Sequence, residues 1–98
     1  YEPPSVVLKK ICSQAEDKEF IEKNYTGAID LYRSAYNSVL SPQDKVIIHA
    51  SIGRNYYKMG RFNTGIMEYE LILAYANENT FIGNIPASIA ALYQIAKG

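Results

Sequence analysis

The stretch "IGRNYYKMGRFNTGIMEYEL", residues 52–71, places glycine at 53, 60 and 65 among the aromatic residues Tyr56, Tyr57, Phe62 and Tyr69. Gly60 separates two segments whose apolar residues recur at helical spacing. Before it come Ile48, Ile52, Tyr56 and Met59; after it come Ile66, Tyr69, Leu73 and Ala76. Glycine suits the left-handed residue that closes a helix, so Gly60 marks the turn. Gly53 and Gly65 fall inside the two helices, where each costs about 1 kcal/mol against alanine. Close approach of the two backbones offsets that cost, with Tyr56, Phe62 and Tyr69 filling the wedge around the glycines. The stretch therefore reads as a tight helix–turn–helix hairpin.

Working outward, "SPQD" at 41–44 opens the third helix. Ser41 can cap a free N–H, Pro42 suits the first turn, and Asp44 stands where a capping-box acid belongs. The fourth helix runs from about Asn63 to Ala76. Upstream, the spacing predicts a second helix from about Thr26 to Val39, with Ile29, Tyr32, Ala35, Tyr36 and Val39 on one stripe. A first helix starts at Ser5, carries Val7, Leu8, Ile11, Cys12 and Ala15, and continues through "AEDKEFIEK" to Asn24. Tyr1 to Pro4 should be extended, since each proline restricts itself and its predecessor. Downstream, "NENT" at 77–80 and Gly83 interrupt the pattern, and Asn84-Ile85-Pro86 opens a fifth helix to about Ala96. No segment alternates as a half-buried strand does, so the expected class is all-α, with five helices and antiparallel neighbours.

Totals narrow the function classes. The chain has 98 residues, ten basic and ten acidic, for a formal net charge of zero. A nucleic-acid binder usually gathers a basic excess, so nucleic acid is not the expected partner. The apolar runs are too short to span a membrane. Cys12 is the only cysteine, which excludes an internal disulfide and a multi-cysteine metal site. It reads as a buried helical thiol, and the compartment stays open, with cytoplasm mildly preferred. His49, the single histidine, has no partner recognisable by motif. Glu68 with Glu70, and the set Glu16, Asp17, Glu19 and Glu22, read as solvated faces and not as acid–base pairs. Phosphate loop, HExxH and calcium-loop motifs are absent from the sequence. No catalytic residue, metal site or cofactor is expected.

The chain repeats itself. "NYTGAIDLY" (24–32) aligns with "RFNTGIMEY" (61–69), placing Tyr25 on Phe62, Ile29 on Ile66 and Tyr32 on Tyr69, while Phe20 falls on Tyr57. Residues 49–72, "HASIGRNYYKMGRFNTGIMEYELI", resemble the tetratricopeptide repeat. The family's positions fall on His49, Ile52-Gly53, Tyr56, Gly60, Phe62, Gly65, Tyr69 and Ile72. His49 stands where a bulky aromatic such as Trp is usual, and Ile72 where a small residue is usual. An earlier unit fits through Tyr25, Ala28, Tyr32 and Ala35, but has Glu16 and Glu19 where glycine and tyrosine are expected. The resemblance divides the chain into repeat 1 (5–40), repeat 2 (41–79) and the first helix of a third repeat (84–98). It implies hairpins stacked in a right-handed superhelix, belonging to a longer regulatory or assembly protein. The missing initiator methionine and an apolar fifth helix ending at Lys97-Gly98 fit that expectation.

The resemblance also implies where a partner sits, because first helices of the family line a concave groove. Arg54, Tyr57 and Lys58 of the third helix would face it, joined by Ser13, Asp17 and Phe20 from the first unit and by Ala91 and Gln94 from the fifth helix. Such a wall suits a peptide carrying a carboxylate and an apolar side chain. Asp17 stands where the family's carboxylate-clamp subset needs asparagine, so chaperone-tail binding is not expected. The implied function is a non-catalytic protein–protein interaction module. The alternative is structural, a homodimer formed through the apolar face of Ile89, Leu92 and Ile95 on the fifth helix.

Overall fold

The computed structural model describes residues 6–37, 41–78 and 80–97, without the side chains of residues 6–8. The expected extended segment at 1–4, the helix onset at Ser5, Val39 and the side chains of Val7 and Leu8 lie outside the described residues. The described residues are mostly helical as expected, with five α-helices among them: α1 (Val6–Glu16), α2 (Tyr25–Tyr36), α3 (Pro42–Lys58), α4 (Phe62–Tyr75) and α5 (Ala87–Lys97). Beyond the expectation, α1 runs into one π-helical turn, Asp17–Ile21, and a short hairpin of β1 (Phe81–Ile82) and β2 (Ile85–Pro86) precedes α5.

Local chemistry sets the boundaries. Ser41 Oγ accepts from Asp44 N at 3.1 Å and starts α3 with Pro42 in its first turn. The capping box is one-sided, because Asp44 is buried and its Oδ1 has no hydrogen-bond partner among the described residues. Asn24 Oδ1 accepts from Gly27 N at 3.0 Å and starts α2. Gly60, at φ +78°, closes α3, and Arg61 N donates to Tyr56 O. In the first unit the corresponding left-handed residue is Lys23, at φ +54°. Lys23 and Gly60 are related by the same offset that places Tyr32 on Tyr69, so the repeat extends to backbone conformation.

The two interior glycines sit where the backbones meet. A Cβ on Gly53 would stand 2.8 Å from the Tyr69 ring, and one on Gly65 would overlap the Tyr57 ring and lie 3.1 Å from Gly53 O. Each helix thus offers a bare backbone to a tyrosine of the other, and the crossing contacts make the pair antiparallel. Tyr57 and Tyr69 meet edge to face, with centroids 5.3 Å apart. The wedge is therefore filled by Tyr57 and Tyr69. Tyr56 packs instead against the neighbouring core cluster, and Phe62 is half exposed.

Helix α3 divides the core. On one side Ile48 and Ile52 pack with Ala15, Ala28, Ile29, Tyr32 and Ala35 of the first unit. On the other, Val46 and Ala50 pack with Tyr69, Ile72, Ala87 and Ala91. The buried residues of α4 are Gly65, Glu68, Tyr69 and Ile72, not the expected Ile66–Tyr69–Leu73–Ala76 stripe. Leu73 is exposed while Ile72 is fully buried. Because α4 is apolar on more than one side, its periodicity alone does not select the inward face.

The β-hairpin corrects the expected helix start at Asn84, since α5 begins only at Ala87. Phe81 pairs with Pro86 and Ile82 with Ile85 across Gly83. The Gln43 amide holds this hairpin to α3: Nε2 donates to Phe81 O and Phe81 N donates to Oε1, both at 2.8 Å. A side chain thereby supplies the hydrogen bonds of an absent neighbouring strand.

Two stability changes are expected. Gly53→Leu drives a side chain into the Tyr69 ring and should cost about 3 kcal/mol or more; an unchanged midpoint in urea would contradict the close contact. Lys23→Gly relieves a left-handed non-glycine residue and should add about 0.5–1 kcal/mol, read as a raised thermal midpoint.

Candidate functional site

A cleft of about 530 Å³ opens between α3 and α5. Arg54, Tyr57, Lys58 and Gln94, four of the groove residues expected from the sequence, line it together with Phe62 and Lys97. The helical periodicity of α3 explains the set, because positions 54, 57 and 58 share one face. Tyr57 joins the walls: its hydroxyl donates to Gln94 O at 2.7 Å, and its ring packs on Phe62 and Tyr69. Tyr57 is therefore a strut between units as much as a lining residue. Ala91 is buried in the core and does not project into the cleft. Asp17 is exposed and does not line it.

Two cations of the cleft, Arg54 and Lys58, are anchored from beneath by Glu19, which the sequence placed on a solvated face. Its side chain is 0% exposed. The π-helical turn accounts for this placement, since widening the helix by a residue rotates the following side chains relative to an α-helical register. Arg54 grips the carboxylate with two bonds, Nε to Oε2 at 2.6 Å and Nη2 to Oε1 at 2.7 Å. Lys58 Nζ adds a third to Oε2 at 2.7 Å, and the Tyr32 hydroxyl reaches Oε1 at 3.4 Å. These are charge-assisted, partly bidentate contacts, the strong class of protein hydrogen bond. Burial works to raise the Glu19 carboxyl, but the hydrogen bonds and charges of Arg54 and Lys58 outweigh it and hold it below the usual carboxylate range.

Phe20, 56% exposed, lies against the same cations. Lys58 Nζ stands 4.1 Å and the Arg54 guanidinium 5.4 Å from its ring centroid. Phe20 thus extends the site past its lining with an open aromatic surface, and it also restrains the two cations.

The remaining candidates separate by environment. Burial, followed by the negative Glu16 and Asp44, pushes the Cys12 thiol up to about 11, away from thiolate chemistry at neutral pH. His49 is buried between Tyr36 and Tyr75, stacked on Tyr75 at 5.7 Å, so it occupies an aromatic slot. Glu68 is also buried, contrary to the solvated face expected for it. Its Oε1 lies 3.7 Å from His49 Nδ1 and 3.9 Å from Arg33 Nη2, beyond ordinary hydrogen-bond length. No group of three or more His, Cys, Asp or Glu residues among the described residues is arranged to hold a metal ion.

On α5, Ile89, Leu92 and Tyr93 are exposed, as is Ile85 of β2, whereas Ile95 packs partly into the second core cluster. Among the described residues no helix is long and apolar enough to cross a membrane. No family model, curated protein or solved structure matches the chain.

Glu19 links stability to pH. Its folded pKa is lowered, so its contribution is complete above the unfolded value of about 4.3 and is lost as pH falls through the folded value. Acid titration of the wild type should show this loss below about pH 5, and Glu19→Met should flatten that limb. Arg54→Met removes two of the bonds to a buried charge and should cost about 3 kcal/mol in urea unfolding.

Proposed function

We propose that this chain is a non-catalytic protein-interaction module, a section of a tetratricopeptide-like stack of hairpins within a larger regulatory or assembly protein. Its partner is an extended peptide lying in the α3–α5 cleft. The observation that carries this reading is the convergence of Arg54, Lys58 and Lys97 with the exposed Phe62 ring at one concavity, with the exposed Phe20 ring against Arg54 and Lys58 just beyond its lining. Cations there meet a ligand carboxylate, and the rings flanking them receive apolar side chains on either side of it. The internal repeat supports the family reading, and a right-handed superhelix is the stacking it implies. Protein or peptide is the partner class, with no cofactor and no nucleic acid.

Reversing Arg54 and Lys58 together would leave Glu19 buried among like charges, so it would unfold the site before it tested binding. Lys97→Glu with Phe62→Ser avoids this, because both residues are exposed and the carboxylate of Glu19 is held by Tyr32, Arg54 and Lys58 instead. Peptides selected from a random display library on the wild type should carry an acidic residue between apolar ones. They should bind the double variant at least about tenfold more weakly by fluorescence anisotropy. Equal binding by a folded double variant would place the site elsewhere.

A second reading has its own observation. Leu92 and Tyr93, 55% and 65% exposed, share α5 with exposed Ile89, and exposed Ile85 precedes them in β2, apolar residues suited to self-association. Sedimentation should then show a concentration-dependent dimer that Leu92→Glu abolishes without unfolding; a monomer throughout would reject it.

A further inference from the structure

Glu19 does more than fill a core position. At the repeat offset it stands where the second unit has Tyr56, and it brings a charge instead of a ring. A guanidinium has five N–H donors and an ammonium three. Glu19 takes two from Arg54 and one from Lys58, the Tyr32 hydroxyl accepts from Arg54 Nη2 at 3.4 Å, and each cation keeps about a third of its side chain exposed. Two positive charges and one negative leave the Arg54–Lys58 pair with a single net positive charge. Lys97, on the opposite wall, is a separate cation.

We infer that Glu19 is a built-in counter-anion that sets the cleft's specificity, fitting the Arg54–Lys58 pair to one ligand carboxylate and disfavouring an acidic tract. The inference rests on the peptide-cleft reading and adds the partner's charge to it. Physically, a second ligand carboxylate at the pair would face Glu19 across the same guanidinium with no unneutralised charge left to meet it. The first would still find free donors, already oriented by Glu19 and by the Phe20 ring. Glu19 is thus a positioning and specificity residue that a ligand need not touch.

Two substitutions separate this from a purely structural role. Glu19→Gln keeps the shape and removes the charge. Glu19→Met fills the slot with apolar atoms and strands no buried charge, because both released cations reach solvent. The same display library is selected on the wild type and on each variant. Two matched synthetic peptides, one with a single glutamate and one with an adjacent pair, are then titrated by anisotropy at several salt concentrations. The wild type should select peptides with one acid at the conserved register of the selected set. Either folded variant should select adjacent acids and shift the diacid-to-monoacid affinity ratio upward by roughly threefold to tenfold, with a steeper loss on adding salt.

Failure of the cleft reading looks different from failure of this inference. If no wild-type-selected peptide is lost by the Lys97→Glu, Phe62→Ser variant, the cleft itself is wrong and the inference falls with it. If those peptides are lost but a folded Glu19 variant keeps the wild-type ratio and salt dependence, only the inference is overturned. If neither Glu19 variant folds, Glu19 belongs to the fold alone and the inference is likewise overturned.

Discussion

Helices α3 and α4 meet through glycine, each placing a tyrosine ring where the other has no side chain. Gly53 lies against Tyr69, and Gly65 against Tyr57. The approach fixes the rotation of α3 about its axis, and that rotation decides everything else the helix presents. Ile48 and Ile52 turn to the first unit, Val46 and Ala50 to the β-hairpin and α5, and Arg54, Tyr57 and Lys58 to the cleft. Interior glycine is locally unfavourable, so its place in both helices makes sense only through the contact. Tyr57 carries the constraint onward, since the ring held by Gly65 ends in a hydroxyl bonded to Gln94 of α5.

The cleft then owes its charge to a departure from the repeat. The first unit has a glutamate where the second has Tyr56, and a π-helical turn places it inside. A buried carboxylate is costly alone, and the cations that satisfy it come from the neighbouring unit. The Glu19–Arg54–Lys58 cluster is consequently a seam between the two hairpins and a floor for the site at once. Stability and the charge of the cleft are coupled through it, and changes to these cations act on both.

Much of the architecture could be read from the chain. Glycine spacing located the α3–α4 hairpin, and Ser41-Pro42 marked the start of α3, because both act through local backbone chemistry. The periodic placement of Arg54, Tyr57 and Lys58 put them on one face before any neighbour was known. Less legible were features that depend on which of several apolar faces turns inward. The α4 stripe shifted to Ile72, and Leu73 turned to solvent, since α4 is apolar on more than one side. The β-hairpin escaped notice because two-residue strands are too short to alternate.

Acidic residues mark the boundary most sharply. Glu19 and Glu68 look like their solvated neighbours Glu16 and Glu22 in the sequence, yet both are buried. A helical sequence carries the distance between two charges on one helix, but it does not carry which cation of another helix will stand opposite. Arg54 and Lys58 lie thirty-five and thirty-nine residues from Glu19. The chain by itself determined five helices, their tight turns and a common face for the cations, all consequences of local backbone preference and period. Only the packed structure decided that those cations are half-neutralised from within, because that depends on a bulged helical turn meeting a distant helix across a desolvated gap.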